Sequence, residues 1–413
     1  MVTSNPPTHG ASALSLFERP DAGERALLVH LDTGGQDVGE ALAELRSLAA
    51  SAGADEVDTF VSRRRRPDPR FYIGSGKAEE LRERVAAGSA DLVLVNHALS
   101  PSQERNLEQA LGCRVLDRTS LILDIFARRA RTHEGKLQVE LAQLRHVATR
   151  LVRGWSHLER QKGGIGQRGP GETQLEMDRR MLGVRIKQLE RRLERVRQQR
   201  QQGRQARRKQ EFPTVSLVGY TNAGKSTLFN RLTEAGVYAD DRLFATLDTT
   251  LRRVALPGGD PVILADTVGF IRDLPHQLVA AFRSTLEETT ESYLLLHVID
   301  DGAQDGGTEI EQVESVLAEI GAADIPRIRV YNKIDRTQRA PGVSFDTDTG
   351  ITDVRVSATD GSGMDDLLAV IAEHVAADRV RGRIRLTADQ GRLRSRLFEL
   401  GEVLGEDWTE QGQ

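Results

Sequence analysis

The chain has 413 residues, a net charge of −4 and 38% hydrophobic residues, which predicts packed cores in roughly two to four domains and argues against a disordered chain. No run approaches the ~20 consecutive apolar residues that cross a bilayer, so we expect no stable membrane insertion. Residues 1–20 lack the basic and apolar segments of a secretion signal and are interpreted as a disordered tail. The single cysteine, Cys113, excludes an internal disulfide and fits a reducing, cytoplasmic setting.

Residues 21–135 alternate between strand and helix patterns. Strand-like segments begin near Glu24, Glu56, Asp91 and Cys113, and each of the first three is followed by a helical pattern. Such alternation predicts a parallel α/β sheet. The segment GSGK at 74–77 lacks the spacing of a phosphate-binding loop, so we interpret it as a tight turn before a helix rather than as a second nucleotide site.

Residues 136–210 contain two apolar stripes at spacings of three and four residues, which predict two helices packed as a long antiparallel hairpin. The stripes are Leu137, Leu141, Leu144, Ala148 and Leu151, and then Leu182, Ile186, Leu189, Leu193 and Val196. Residues 162–174 between them are rich in glycine and are predicted to form a non-helical tip loop, a common place for function when it is held on a rigid stalk.

The hairpin is strongly basic. From Arg145 to Gln210 there are 19 Lys or Arg against 6 Asp or Glu, a balance of +13, so the rest of the chain sums to −17. A basic arm on an acidic body indicates a polyanionic partner that the arm alone contacts. The alternative is a solvated, highly charged helix pair with no partner.

Residues 211–378 again alternate strands and helices and predict a doubly wound α/β domain. The end of the chain, residues 379–413, is predicted to form one strand and one helix, which is too short for an independent core. The predicted class is therefore α/β: an N-terminal parallel subdomain with a helical hairpin, then a nucleotide-binding domain of the P-loop class, then a short α+β segment.

A phosphate-binding motif follows the first strand of the third region. Residues 219–226 read G-x-x-x-x-G-K-S directly after a strand and at the start of a helix, which is the context that this motif requires. Its glycines allow backbone N–H groups to surround phosphates, Lys225 would neutralise the β- and γ-phosphates, and Ser226 would ligate Mg²⁺. The predicted contacts are Gly219, Tyr220, Thr221, Asn222, Ala223, Gly224, Lys225, Ser226 and Thr227.

Two further segments would complete a metal and γ-phosphate site. Asp266 ends an apolar strand and is predicted to hold Mg²⁺ through a water, while Gly269 would donate its amide to the γ-phosphate. A hydroxyl on the loop before that strand could ligate the metal, but the chemistry leaves Thr246, Thr249 and Thr250 open. The predicted contacts in these segments are Phe244, Ala245, Thr246, Leu247, Asp248, Asp266, Thr267, Val268 and Gly269.

The base is predicted to be guanine. In Asn332-Lys333-Ile334-Asp335, the Asp335 carboxylate could accept from guanine N1–H and the exocyclic amine, a donor pair that adenine does not present. The backbone amides of Ser357 and Ala358 could donate to guanine O6. Because this motif follows the phosphate loop and D-x-x-G in order, we expect GTP rather than ATP.

The residue after Gly269 is Phe270, which cannot hydrogen-bond to the attacking water. Lys225, Gly269 and bound Mg²⁺ would still stabilise the transition state, so we predict slow hydrolysis until a partner orders the site. Alternatively, Phe270 only packs against a neighbouring switch, and the two interpretations are compatible.

The motifs GYTNAGKS, FATLD, DTVGFIRDLP, NKID and RGPGETQLE together resemble the HflX-type GTPases over nearly the whole chain after residue 20. The resemblance implies a cytoplasmic GTPase that engages the large ribosomal subunit and separates ribosomal subunits, particularly under stress. It assigns the switch metal ligand to Thr246 and matches Phe270 to a hydrophobic residue in place of a catalytic glutamine. It also implies that the last domain is incomplete and that the tip contacts large-subunit RNA through Lys162, Gly163, Gly164, Gln167, Arg168, Gly169, Pro170 and Gly171.

Other functions remain compatible with the residues. One is a GTPase in ribosome assembly or tRNA modification, with the arm on a different RNA. Another is a GTP-gated RNA-binding module with little turnover. We expect no DNA partner, and a monomer away from the ribosome.

Overall fold

The computed structural model describes residues 23–34, 37–159, 170–209, 212–233, 243–258, 261–272, 283–303, 306–347, 349–377, 383–387, 390–400 and 405–407. Its first region is a parallel sheet of β1 (Glu24–Asp32), β2 (Ala54–Arg63), β3 (Leu92–Val95) and β4 (Arg114–Asp117), in the order β2-β1-β3-β4. The helices of this region are α1 (Val38–Ala52), α2 (Ser75–Gly88), α3 (Pro101–Leu111) and α4 (Arg118–Arg129).

Both faces of this sheet are buried, as expected for parallel strands with crossover helices. Alternate residues of β1 point to opposite faces: Ala26 and Leu28 pack with α1 and α4, whereas Leu27 and Val29 pack with α2 and α3. Helix α4 was not predicted. Its N-terminus is capped by the Asp117 carboxylate, which accepts from the Ser120 amide at 2.8 Å.

The arm consists of α5 (His133–Glu159) and α6 (Pro170–Lys209), which pack together along the predicted stripes. Its seam includes Leu137, Leu141, Leu144, Leu182, Ile186, Leu189 and Leu193. Among the side chains that the structure describes, ion pairs join the two helices at Arg145 with Glu190, 2.7 Å apart, and at Arg185 with Glu140, 2.6 Å apart.

The predicted tip loop is too long at its C-terminal end. Residues 170–174 are helical, because Pro170 occupies the first position of α6, where its fixed φ favours a helix and its missing N–H has no cost. The arm also begins earlier than predicted, because α5 starts at His133 rather than at residue 136.

The third region contains a seven-stranded mixed sheet of order β10-β11-β9-β8-β5-β7-β6. Its strands are β5 (Thr214–Gly219), β6 (Thr250–Ala255), β7 (Pro261–Asp266), β8 (Leu294–Asp300), β9 (Arg327–Asn332), β10 (Gly342–Asp346) and β11 (Ile351–Arg355). Its helices are α7 (Lys225–Thr233), α8 (Arg283–Thr290), α9 (Gly306–Ile320), α10 (Ile334–Thr337) and α11 (Met364–Ala377). The α/β class is confirmed, whereas β6 and β10, which pair antiparallel at the two edges, were not predicted.

After α11 the structure describes residues 383–387 without regular secondary structure and α12 (Gly391–Leu400). The predicted C-terminal helix is therefore present, but the strand expected at 383–387 is not. Among the helices that the structure describes, none has the length and apolar character needed to span a membrane.

Candidate nucleotide site

The phosphate loop joins β5 to α7 and depends on two glycines. Gly219 has φ 146° and Gly224 has φ 91°. A Cβ on Gly219 would collide with the carbonyl oxygen of Val298, and one on Gly224 would collide with the Asn332 amide. Both positions therefore require glycine for space as well as for backbone conformation.

Lys225 lies beneath this loop and is almost fully buried. Its Nζ donates to the carbonyl oxygens of Gly219 at 3.0 Å and Tyr220 at 2.6 Å. Burial lowers the pKa of Lys225 to about 8, while the Asp266 carboxylate acts in the opposite direction. A Cβ on Gly269 would lie 2.8 Å from Thr221 Cγ2 and 3.0 Å from this Nζ, so a glycine lets the segment after β7 approach the phosphate loop closely.

Three oxygens converge beside the lysine. Ser226 Oγ lies 2.7 Å from Thr246 Oγ1, and both hydroxyls donate to Asp266 Oδ2 at 2.8 Å. Asp266 is fully buried, and burial raises the pKa of its carboxyl group. Among the residues that the structure describes, its Oδ1 has no hydrogen-bond partner. An all-oxygen donor set with an unsatisfied buried carboxylate oxygen fits Mg²⁺. Of the three threonines left open by the sequence, the structure brings Thr246 into this cluster.

The opposite end of the site is built on the N-K-x-D segment. Asn332 Nδ2 donates to the Ala223 carbonyl oxygen at 3.0 Å, and Lys333 Nζ donates to that of Asn222 at 2.6 Å, which ties this segment to the phosphate loop. Asp335 Oδ1 accepts from Ser357 Oγ at 2.8 Å.

The predicted amide donors to guanine O6 have partners within the protein. The Ala358 amide donates to Asn332 Oδ1 at 3.0 Å, and the Ser357 amide donates to the Ser362 carbonyl oxygen at 2.9 Å. Both N–H groups are therefore used inside the protein. The sequence showed the segment but not these partners, because they depend on how the loop after β11 folds back.

Several residues predicted as nucleotide contacts direct their side chains elsewhere. Phe244, Leu247 and Val268 are buried in a hydrophobic cluster shared with α1, α4 and α5 of the N-terminal region. Asp248 accepts hydrogen bonds from residues at the start of α5, and Thr267 Oγ1 donates to the Leu217 carbonyl oxygen at 2.6 Å.

Tyr220 also points away from the phosphate loop. Its hydroxyl donates to Glu44 of α1 at 2.6 Å and accepts from the Arg272 amide at 2.8 Å. Sequence reasoning missed this contact. Glu44 and Arg272 lie far apart in the chain, and no local pattern marks them as partners.

The remaining predicted contacts are less informative. Thr221 and Ala223 are buried, Asn222 is exposed with φ 63°, and Thr227 is exposed in the first turn of α7. Ala245 is half-buried, and Ile334 is buried at the start of α10. The predicted RNA contacts Lys162, Gly163, Gly164, Gln167, Arg168 and Gly169 lie outside the described residues, while Pro170 and Gly171 begin α6.

Phe270 packs as the alternative interpretation predicted. Its ring is 2% exposed and belongs to a cluster with Leu286, Leu295, Val313 and Leu317. Its backbone joins the switch to the phosphate loop: the Phe270 amide donates to Gly219 at 3.1 Å, and its carbonyl oxygen accepts from Thr221 at 2.7 Å.

A doubly wound sheet with a phosphate loop, an N-K-x-D segment and a buried aspartate at the end of β7 defines a P-loop GTPase. Three family models match this chain: "GTP-binding GTPase N-terminal" over residues 39–127, "GTP-binding GTPase Middle Region" over 129–207 and "50S ribosome-binding GTPase" over 214–333.

Named relatives agree with these models. The chain is 56% identical over 398 residues to "GTPase HflX" of Escherichia coli strain K12, covering 96% of this chain and 93% of the relative. It is 48% identical to "GTPase HflX" of Caldanaerobacter subterraneus, covering 94% and 89%. A GTP-binding protein from Sulfolobus solfataricus, solved with GDP, is 24% identical over 86% of this chain and 99% of that chain, with a TM-score of 0.45. The chain therefore belongs to the HflX family of GTPases and contains a ribosome-binding GTPase domain.

Proposed function

We propose that this GTPase binds GTP with Mg²⁺ at the Ser226–Thr246–Asp266 cluster and turns over slowly until a ribosomal partner engages it. The observation that supports the proposal most strongly is the convergence of these three oxygens within 2.7–2.8 Å of one another, beside Lys225. Ser226 and Thr246 would be direct metal ligands, and Asp266 would act through a water. The metal, when bound, neutralises developing charge on the phosphates.

The residues of the chain supply positioning and electrostatic stabilisation. Lys225 would leave its two carbonyl partners for the β- and γ-phosphates, and phosphate binding would favour its charged form despite burial. The Gly269 amide would donate to the γ-phosphate. Because the ring of Phe270 is packed away from this end of the site and has no hydrogen-bonding group, it cannot orient the attacking water. A partner must do so, which is why we expect slow intrinsic hydrolysis.

Guanine selectivity would come from Asp335, whose free carboxylate oxygen can accept from guanine N1–H and the exocyclic amine. Asn332 would act indirectly, because its amide is already divided between Ala223 and Ala358. The Lys333 stem crosses from the N-K-x-D segment to the phosphate loop and would cover the base.

The proposed partner is the large ribosomal subunit, contacted through RNA at the arm tip, residues 162–171. Support comes from the family description "50S ribosome-binding GTPase" and from the +13 charge of residues 145–210. RNA contact through phosphates accounts for such an arm without aromatic stacking. Engagement of the large subunit in the GTP state would then separate the ribosomal subunits, as a cytoplasmic response to stress.

The arm is tested by replacing residues 160–169 with a Gly-Ser linker of equal length. We expect co-sedimentation with large subunits to fall at least tenfold and stimulated hydrolysis to be lost, while GTP affinity stays unchanged. A matched control removes equal charge elsewhere: Lys162→Ala/Arg168→Ala is compared with the exposed pair Arg65→Ala/Arg66→Ala. If the linker variant keeps both ribosome binding and stimulated hydrolysis, the arm does not have the proposed role. The proposal is also contradicted if the control pair reduces the splitting of 70S ribosomes, measured on sucrose gradients.

A further inference from the structure

The loop that carries Thr246 is anchored on the N-terminal region at both of its ends. We call residues 243–248 the switch segment. At its start, the Leu243 amide donates to Ser51 Oγ of α1 at 3.0 Å. The next residue, Phe244, is 3% exposed, and its ring packs edge-to-face on Phe126 of α4 with centroids 4.6 Å apart. Phe244 has φ 56°, a conformation that a residue with a side chain keeps only when its surroundings hold it.

The other end of the segment is held by the two residues that precede α5. Asp248 Oδ2 accepts from the amides of Arg131 and Thr132, each at 2.9 Å, and Asp248 Oδ1 accepts from the Thr132 hydroxyl. Thr132 Oγ1 also accepts from the Gly135 amide at 2.9 Å, so the same residue starts the helix and holds the switch segment.

Gly135 shows that the start of α5 has a shape suited to this carboxylate. A Cβ at that position would overlap Asp248 Oδ1 and crowd Thr132 Oγ1. The backbone φ of Gly135 is not in the left-handed region, so its conformation does not require glycine. Glycine is needed there because the Asp248 carboxylate occupies the space that a Cβ would take.

Thr246 lies between these two anchors, two residues from each. In many GTPases such a loop becomes ordered only through the γ-phosphate and its metal, so ligand binding must supply the ordering free energy. Here the N-terminal region holds the switch segment through its own contacts with Leu243, Phe244 and Asp248. Because this loop is already held, placing Thr246 beside Ser226 and Asp266 requires less ordering free energy from the ligand.

We propose that Asp248 is a positioning residue for GTP hydrolysis: by binding Arg131 and Thr132, the two residues before the arm helix α5, it holds Thr246 at the metal site. The proposal rests on the function proposed above for Thr246. It makes the base of the arm part of the GTP-bound switch, although α5 supplies none of the proposed nucleotide contacts. It also predicts a selective effect, because a threonine ligand on this loop matters in the GTP state and not in the GDP state.

The test compares Asp248→Asn in the full chain with the wild type. The amide keeps the size of the carboxylate but loses its charge. With its oxygen on the amides of residues 131 and 132, its NH₂ group faces the Thr132 hydroxyl in place of the oxygen that accepts from it. We expect affinity for a non-hydrolysable GTP analogue at saturating Mg²⁺ to fall about tenfold, with a higher Mg²⁺ requirement, and GDP affinity to change less than about twofold. Hydrogen exchange of residues 243–248 in the nucleotide-free protein should accelerate. Equal losses for GTP analogue and GDP, or no loss, would overturn the proposal.

Further variants at Gly135 and Thr132 guard against a trivial folding defect. Gly135→Ala alters neither a switch residue nor a nucleotide contact, yet should reproduce the selective loss by pushing Asp248 away. Its control is Gly183→Ala on α6, where nothing lies within 4 Å of the added Cβ. Thr132→Ser keeps the hydroxyl and should retain wild-type behaviour, whereas Thr132→Val should not. If Gly135→Ala and Gly183→Ala behave alike, the proposal is wrong.

Thr246→Ala distinguishes the proposed metal-ligand role of Thr246 from the proposed positioning role of Asp248. If that variant keeps normal GTP-analogue affinity and Mg²⁺ dependence, the metal-ligand role in the proposed function fails. If Thr246→Ala shows the loss and Asp248→Asn does not, only the positioning role fails.

Discussion

The two ends of the nucleotide site are held in different ways. The base end is built within the third region alone: Asn332 and Lys333 bind the phosphate loop, and Asp335 pairs with Ser357. The metal end is shared with the N-terminal region, which packs on Phe244, Leu247, Val268 and Ile271 and binds Tyr220 through Glu44. On the proposed function, base selectivity would therefore be a property of the GTPase domain, whereas the GTP-bound switch state would also depend on the N-terminal region.

We expect the greatest loss of nucleotide affinity from a substitution at the base end of the site. Asp335→Asn places an amide where guanine presents two donors, so affinity for GTP and for GDP should fall on the order of 10³-fold, to the same extent. Xanthosine triphosphate, which carries an oxygen in place of the exocyclic amine, should bind the variant better than GTP does. Fluorescent-nucleotide titration measures all three affinities. Unchanged selectivity would contradict the assignment of Asp335.

The next effect tests the shared packing at the metal end. Phe126→Ala removes the ring against which Phe244 packs and leaves a cavity, so the free energy of unfolding should fall by about 3–4 kcal/mol. Unlike Asp335→Asn, this variant should weaken a GTP analogue more than GDP. Chemical denaturation and nucleotide titration check both statements, and an equal loss of the two nucleotides would show that the packing is only structural.

The comparison also explains what the sequence could predict. The phosphate loop, Asp266 and the N-K-x-D segment are local motifs on strands that precede recognisable helices, so the oxygen cluster and the base end could be located in advance. The arm's seam was equally predictable, because Leu137, Leu141 and Leu189 follow a strict helical spacing.

Contacts between regions could not be predicted. Phe244 and Asp248 sit in a short irregular segment without periodicity, and their partners lie more than 100 residues away in α4 and α5. Elements were also missed where the pattern was weak. Helix α4 begins directly after β4, with no loop between them to mark its start. Strand β10 is an edge strand whose Val343 and Phe345 are exposed.

A weaker effect is expected at Tyr220, whose hydroxyl bridges Glu44 and the Arg272 amide. Tyr220→Phe removes the hydroxyl that joins Glu44 to the Arg272 amide and should cost about 1–2 kcal/mol of stability. It should also weaken a GTP analogue severalfold relative to GDP. The matched control is Tyr293→Phe, which loses a 3.1 Å hydrogen bond to the His374 carbonyl oxygen away from the switches. The same shift in nucleotide preference in both variants would exclude a specific role for the bridge.

The smallest effect concerns Glu309 of α9. Burial, reinforced by the nearby Asp300 carboxylate, raises the pKa of Glu309 to about 7. Between the ordinary carboxyl pKa of 4.5 and about 7, the folded chain binds more protons than the unfolded chain, so this group lowers stability as pH rises through that window. Glu309→Gln should therefore raise the melting temperature slightly at pH 8 and leave it unchanged at pH 4.5. Equal shifts at both pH values would contradict this assignment.

Phe270 cannot orient the attacking water, and on the proposed function contact with the ribosome supplies the missing group. Single-turnover hydrolysis of GTP by the full chain, measured against increasing concentrations of purified large subunits, tests it directly. We expect a slow rate alone and a saturable acceleration of at least about tenfold with large subunits, reduced by raising the salt concentration. Rapid hydrolysis by the chain alone, unaffected by large subunits, would contradict the account.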